Sequence, residues 1–206
     1  MFIAILIFII KVIYCFYSKN IVLKILPAIL LAISIAVQAL SIRHVLEFIL
    51  YALGDYYLFY VNSMADSEYL NTGIMNFSLA HLIAIHDLEL KDLDSDTTEH
   101  LIARGIIWFI CILALVDYAI GIIRSQDLRN RLKFLYISIL AYRLVRACSV
   151  YFITGEVLPL ITIGLFCISD LLVMYDILWQ HNRLVQYLIL NTYWSSLILR
   201  AREILS

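Results

Sequence analysis

Asp55 lies in Leu-Tyr-Ala-Leu-Gly-Asp-Tyr-Tyr-Leu-Phe-Tyr, residues 50–60, and puts a carboxylate inside an otherwise apolar run. The pattern returns as Cys-Ile-Ser-Asp-Leu-Leu-Val-Met-Tyr, residues 167–175, with Asp170 in the same place. Both stretches fit small-Asp-x-x-aliphatic-x-Tyr. An ionisable group deep in hydrocarbon costs about 2.5 to 3.5 kcal/mol on insertion scales, so it faces a bundle interior or a polar cavity. Burial disfavours the charged form of a carboxyl, and a second carboxylate nearby does so further, so such a pair divides into one acid and one carboxylate. That division suits donation of a proton on one side and stabilisation of positive charge on the other. Two alternatives stand beside it. Each Asp could simply hydrogen-bond a neighbouring helix, or the two could bind or gate a proton or a substrate amine in a non-catalytic carrier.

His81 and Tyr193 each follow one of these aspartates by one hairpin. Asp117, Arg143 and Arg146 complete the costly intramembrane set, and Arg–Asp pairing would offset part of their burial, as a structural or a functional ion pair. His81 with His86 and Asp87 suggests a metal, but residues five apart do not share a helix face, so no metal and no cofactor are expected. Cys15, Cys111, Cys148 and Cys167 lie in apolar segments without ligand spacing and read as small core residues. Asp92-x-Asp94-x-Asp96 resembles the start of a calcium loop. The Gly and the closing Glu are missing, which leaves a solvated acidic loop with Asp87, Glu89 and Glu99. A serine hydrolase is unsupported, since Ser169 has no Gly-x-Ser-x-Gly elbow and Ser195-Ser196 has no local His.

Apolar segments between short polar punctuation place helices at 2–17, 21–40, 44–61, 69–87, 101–123, 132–153, 157–178 and 184–201. The fold class is therefore all-α, a polytopic membrane bundle of about eight spans in a single transmembrane domain over residues 1–206, with both ends on one side. Asp55 and Asp170 lie roughly 16 and 20 Å from the same face at the helical rise per residue, on helices that run in the same direction. The halves thus read as a parallel 4+4 repeat, and both carboxylates are expected to face one internal cavity. Pro27 sits in the early turns of the second helix, where its missing N–H does little harm. Lys24, a turn earlier, can snorkel to the interface.

Composition supports this frame. The chain is 64% hydrophobic and 15% charged, with a mean hydropathy of +0.93, against about 25% charged in soluble domains. A net charge of -1 and the absence of a basic patch argue against nucleic-acid binding. Residues 1–17 carry Lys11 inside the apolar run and lack a cleavage site, so they read as a first span. Arg124, Arg129, Arg131 and Lys133 favour a cytosolic position for the loop between the fifth and sixth spans, although basic residues elsewhere leave the orientation open.

Taken together, Lys24-x-x-Pro27, Gly54-Asp55, Gly73 with Phe77 and His81, Tyr136 with Arg146-Ala147, Ser169-Asp170-Leu171 and Thr192-Tyr193 resemble the YhhN-type family of membrane lysoplasmalogenases. The order and spacing carry the resemblance, which covers most of the chain. It implies eight helices in a membrane, that of the endoplasmic reticulum in a eukaryote, and hydrolysis of the vinyl ether bond of a lysophospholipid. Alkene protonation would give an oxocarbenium ion that water captures before the hemiacetal collapses. The Asp55 and Asp170 pair would supply acid and carboxylate, His81 and Tyr193 would orient water or the pair, and Lys24, Arg146 and Ser169 would contact substrate, Arg146 at its phosphate. The chain departs from the family at Asp176-Ile177, where Asn-Lys is usual, at Tyr193-Trp194-Ser195-Ser196-Leu197, where Tyr-Tyr-x-Ala-Gln is usual, and at Arg143, usually apolar. Loss of that lysine and glutamine implies either an altered headgroup preference or a loss of activity.

Overall fold

Six helices account for nearly all of the described chain: α1 (Ile21–Val37), α2 (Ile42–Val61), α3 (Ser67–Asp92), α4 (Leu128–Thr154), α5 (Leu158–Trp179) and α6 (Arg183–Leu205). The computed structural model describes residues 6–7, 9–10, 12–14, 20–38, 41–61, 67–92, 128–179 and 183–205, and those between 6 and 14 are also helical. No strand occurs among the described residues. The all-α expectation therefore holds, and most of the anticipated helices have a counterpart. The helix expected at 101–123, with Asp117 and Cys111, lies outside the described residues, as do Cys15 and the acidic loop beyond Asp92.

Local chemistry sets the helix ends. Asn20 caps α1 by accepting a hydrogen bond from the Val22 N–H at 3.0 Å, which satisfies one of the amides the first turn leaves unpaired. Between α4 and α5, Gly155 takes φ 74, a left-handed conformation that costs glycine little. Its N–H closes the helix on the Tyr151 carbonyl at 2.9 Å. α3 runs to Asp92 instead of ending at 87. Its last turns are tied down, since Asp87 pairs with Arg43 and His44 and Glu89 accepts from the Tyr142 hydroxyl at 2.9 Å. Polar residues that read as a loop are held in the helix by partners on α2 and α4.

Each helix packs on the next one named, and α6 returns to α1, so α1 to α6 close into a ring. Beside an apolar core that includes Ile35, Phe48, Tyr51 and Trp194, the bundle buries several charged side chains and exposes many large apolar ones. Glu47, Asp55, His81, Arg143, Arg146, Arg200 and Glu203 are buried, whereas Ile33, Val37, Leu46, Leu79, Leu82, Leu135, Ile137 and Leu171 are exposed. Among the described residues one helix, over Leu132–Thr154, is long and apolar enough by composition to cross a membrane, and Ile21–Val37 and Leu158–Val173 are shorter apolar stretches.

Candidate functional site

Asp55 is delivered to the interior by a close approach of α2 and α3. A Cβ on Gly54 would stand 2.7 Å from the Phe77 ring, and one on Gly73 would stand 2.9 Å from the Leu58 side chain and 3.4 Å from the Gly54 carbonyl oxygen. Only hydrogen fits at either position, and the tight seam turns the neighbouring Asp55 inward, where it is 4% exposed. Lys24 of α1 does not reach outward. Its Nζ lies 3.9 Å from Asp55 Oδ1. The Tyr193 hydroxyl of α6 lies beside the same carboxylate, near enough to interact with it. Asp55 Oδ2 and the Tyr193 hydroxyl are both buried without a hydrogen-bond partner that meets geometric criteria.

Asp170 of α5 has a different phenol. The Tyr136 hydroxyl of α4 donates to its Oδ2 at 2.5 Å. A ring-to-ring path joins the two acids. Tyr136 lies 5.9 Å from His81, His81 meets Phe166 edge-on at 4.4 Å, and Phe166 lies 5.4 Å from Tyr193. Tyr193 and His81 therefore do not each serve the aspartate that precedes them in sequence. Tyr193 stands by Asp55, while His81 is on the Asp170 side through Tyr136, so the two halves of the chain exchange partners.

His81 is fully buried. Its Nδ1 lies 2.6 Å from Arg143 Nη1 and 3.4 Å from the Tyr51 hydroxyl, and the same Arg143 nitrogen donates to Tyr51 at 3.0 Å. Arg146 is buried one turn further along α4. Ser169 is buried, and its hydroxyl donates to the Ile189 carbonyl at 3.2 Å, which ties α5 to α6. Leu197 is 1% exposed and belongs to the apolar core.

A second polar cluster, absent from the sequence reading, occupies the other end of the bundle. Arg200 of α6 grips Glu47 of α2 in a two-pronged pair, Nε to Oε1 at 2.8 Å and Nη2 to Oε2 at 2.9 Å. It also donates to Glu203 at 2.9 Å and to Asp87. Thr162 of α5 donates to Glu203, and Arg43 and His44 each approach Asp87 at 3.0 Å. One signal could have found Glu47: it precedes Tyr51 by four residues and Asp55 by eight, which places all three on one helix face. Among the described residues no three His, Cys, Asp or Glu side chains converge as metal ligands.

The fold and site together define a helical bundle with many apolar side chains on its surface, whose interior carries two carboxylates, each beside a phenol, with a run of packed aromatic rings between them. The YhhN family model matches residues 19–203, and the chain belongs to the YhhN family. No curated protein matches it, and no solved structure does.

Proposed function

We propose that this protein is a multi-pass membrane hydrolase that cleaves the vinyl ether bond of lysoplasmalogen-type lipids. The apolar exterior over a charged interior supports the membrane placement, since scattered exposed leucines and isoleucines on every helix are what lipid tails would cover. The observation that carries the activity is the pair of carboxylates on α2 and α5, each set beside a tyrosine within one bundle.

In the reaction one carboxyl delivers its proton to the alkene carbon that does not bear the oxygen, and the C=C electrons form the new C–H bond. The ether oxygen stabilises the resulting cation as an oxocarbenium ion. The opposite carboxylate stabilises that charge and takes a proton from the water that adds to the oxygen-bearing carbon, giving a hemiacetal. It then returns that proton to the glycerol oxygen as the C–O bond breaks, while the first carboxylate takes the hemiacetal hydroxyl proton, giving a fatty aldehyde and a free alcohol, with one water consumed and both groups restored. The acid and base work belongs to the Asp55 and Asp170 pair jointly. Arg146 and Lys24 offer cations to the lipid phosphate.

The reading is tested with purified protein in detergent, given lysoplasmalogen in one assay and its ester-linked analogue in another, with aldehyde release as the readout. Release from the vinyl ether alone is expected. Folded protein that releases none would instead favour a non-catalytic lipid-binding or proton-coupled carrier of the same fold, a reading supported by the Lys24–Asp55 ion pair.

A further inference from the structure

We propose that Arg143 is a positioning residue that holds His81 as the neutral tautomer protonated on Nε2, so that His81 acts as a hydrogen-bond donor to an oxygen brought to the site and not as an acid or a base. The inference rests on the hydrolase reading only for the identity of that oxygen, which would be the attacking water or the departing glycerol oxygen.

The geometry at Nδ1 is the starting point. A guanidinium carries donors only and keeps its protons in proteins. Arg143 Nη1 lies 2.6 Å from His81 Nδ1, so that ring nitrogen has to accept, and an N–H there would be driven against another N–H. A neutral ring that accepts at Nδ1 carries its hydrogen on Nε2, because the bond made by one nitrogen fixes the state of the other. The same guanidinium nitrogen also donates to the Tyr51 hydroxyl at 3.0 Å, and Tyr51 packs edge-on against the imidazole at 5.6 Å. Phe166 and Tyr136 pack the remaining ring faces and edges. The ring is thereby fixed in both orientation and tautomer.

Nε2 is buried and has no hydrogen-bond partner. A buried N–H left open inside such a packed ring is a rarity in folded proteins. The ring lies 5.9 Å from that of Tyr136, whose hydroxyl binds Asp170, and the natural acceptor of the Nε2 hydrogen is an oxygen brought in with the reaction.

The test combines spectroscopy with kinetics. Protein labelled with nitrogen-15 histidine is assigned by the signal that H81Q removes from among its five histidines. His81 is expected to show a protonated Nε2 and a bare Nδ1 at neutral pH. In R143M the two tautomers should mix, whereas R143K, which keeps a donor, should retain the Nε2–H form. In the aldehyde assay H81L should lose about 100-fold or more, the usual cost of deleting a transition-state donor. H81Q keeps an amide N–H at comparable reach and no titratable nitrogen, so it should lose about ten-fold or less. A protonated Nδ1, a doubly protonated ring, or an unmixed Nε2–H ring in folded R143M would overturn the positioning role. Equal collapse of H81Q and H81L in an active wild-type background would overturn the donor role. If wild-type protein releases no aldehyde but shows the Nε2–H ring and its loss in R143M, the hydrolase reading fails and the tautomer lock stands.

Discussion

Arg200→Met offers a direct measure of how much the bundle depends on its buried charges. In the native protein Glu47 has no exposed surface and Arg200 is 4% exposed, so neither charge draws on water. The substitution keeps most of the side-chain length but removes both prongs of the Glu47 pair, at 2.8 and 2.9 Å, together with the donors to Glu203 and Asp87. Asp87 retains Arg43 and His44, and Glu203 retains Thr162. Among the described residues the Glu47 carboxylate has no such reserve. Breaking one side of a buried pair costs about 3 to 5 kcal/mol, mostly from the charge left behind, and that is the loss expected in an unfolding titration in mixed micelles. Adding Glu47→Gln to Arg200→Met should return part of it, because the residual charge is gone, with a coupling of about 1 to 3 kcal/mol across the double-mutant cycle. An Arg200→Met protein within about 1 kcal/mol of wild type, or a coupling near zero, would show that the cluster is solvated and that its reading as a buried network is wrong.

Further outcomes follow from the site. Asp55→Asn and Asp170→Asn should each abolish aldehyde release while folded protein is retained, since each keeps side-chain size and removes the titratable carboxyl; near-native turnover in both would rule out the carboxylate mechanism. If proton transfer to carbon limits the reaction, the rate should fall as pH rises and should be slower in D₂O, and a rate indifferent to both would place the slow step elsewhere. Gly54→Ala puts a methyl group against the Phe77 ring and should destabilise the protein by about 1 to 3 kcal/mol as overpacking does; unchanged stability would mean that the α2–α3 seam relaxes freely. Leu197→Gln, which restores the residue usual in the family, places an amide in the apolar core and should lower stability by about 1 to 3 kcal/mol unless it finds a partner, as read in the same unfolding titration.

The two aspartates were legible because their neighbours are apolar and the pattern around them repeats. Helix positions were legible for the same reason, with α3 misjudged at its end because Asp87 and Glu89 look like loop residues until Arg43, His44 and Tyr142 are seen to hold them. Two things could not be read. The Glu47–Arg200 pair joins residues 153 apart, and each partner sits near a helix end, where a charge is ordinarily assigned to the interface. The crossing of Tyr193 to the aspartate of the other half was also hidden. Counting along the chain assigns Tyr193 to Asp170, whereas the ring closure of α6 on α1 brings it to Asp55. Lys24 was read as an interfacial residue on the same logic, and its rotation toward Asp55 depends on which face of α1 meets α2.

The way α6 closes the ring also bears on how the protein is made. α6 emerges from the ribosome after all of the other helices, yet it brings Tyr193 to Asp55 at one end and Arg200 to Glu47 and Asp87 at the other. Until it arrives, α2 and α3 hold acidic groups whose permanent partners do not exist. Asp55 has Lys24 as an early companion and Asp87 has Arg43 and His44, but among the described residues Glu47 has no equivalent. That one glutamate therefore has to stay open to solvent until α6 docks, and the docking of α6 is what seals it. A chain stalled before Arg183 would present quality control with an unquenched acid on a hydrophobic body, a mark of incompleteness that the finished protein erases.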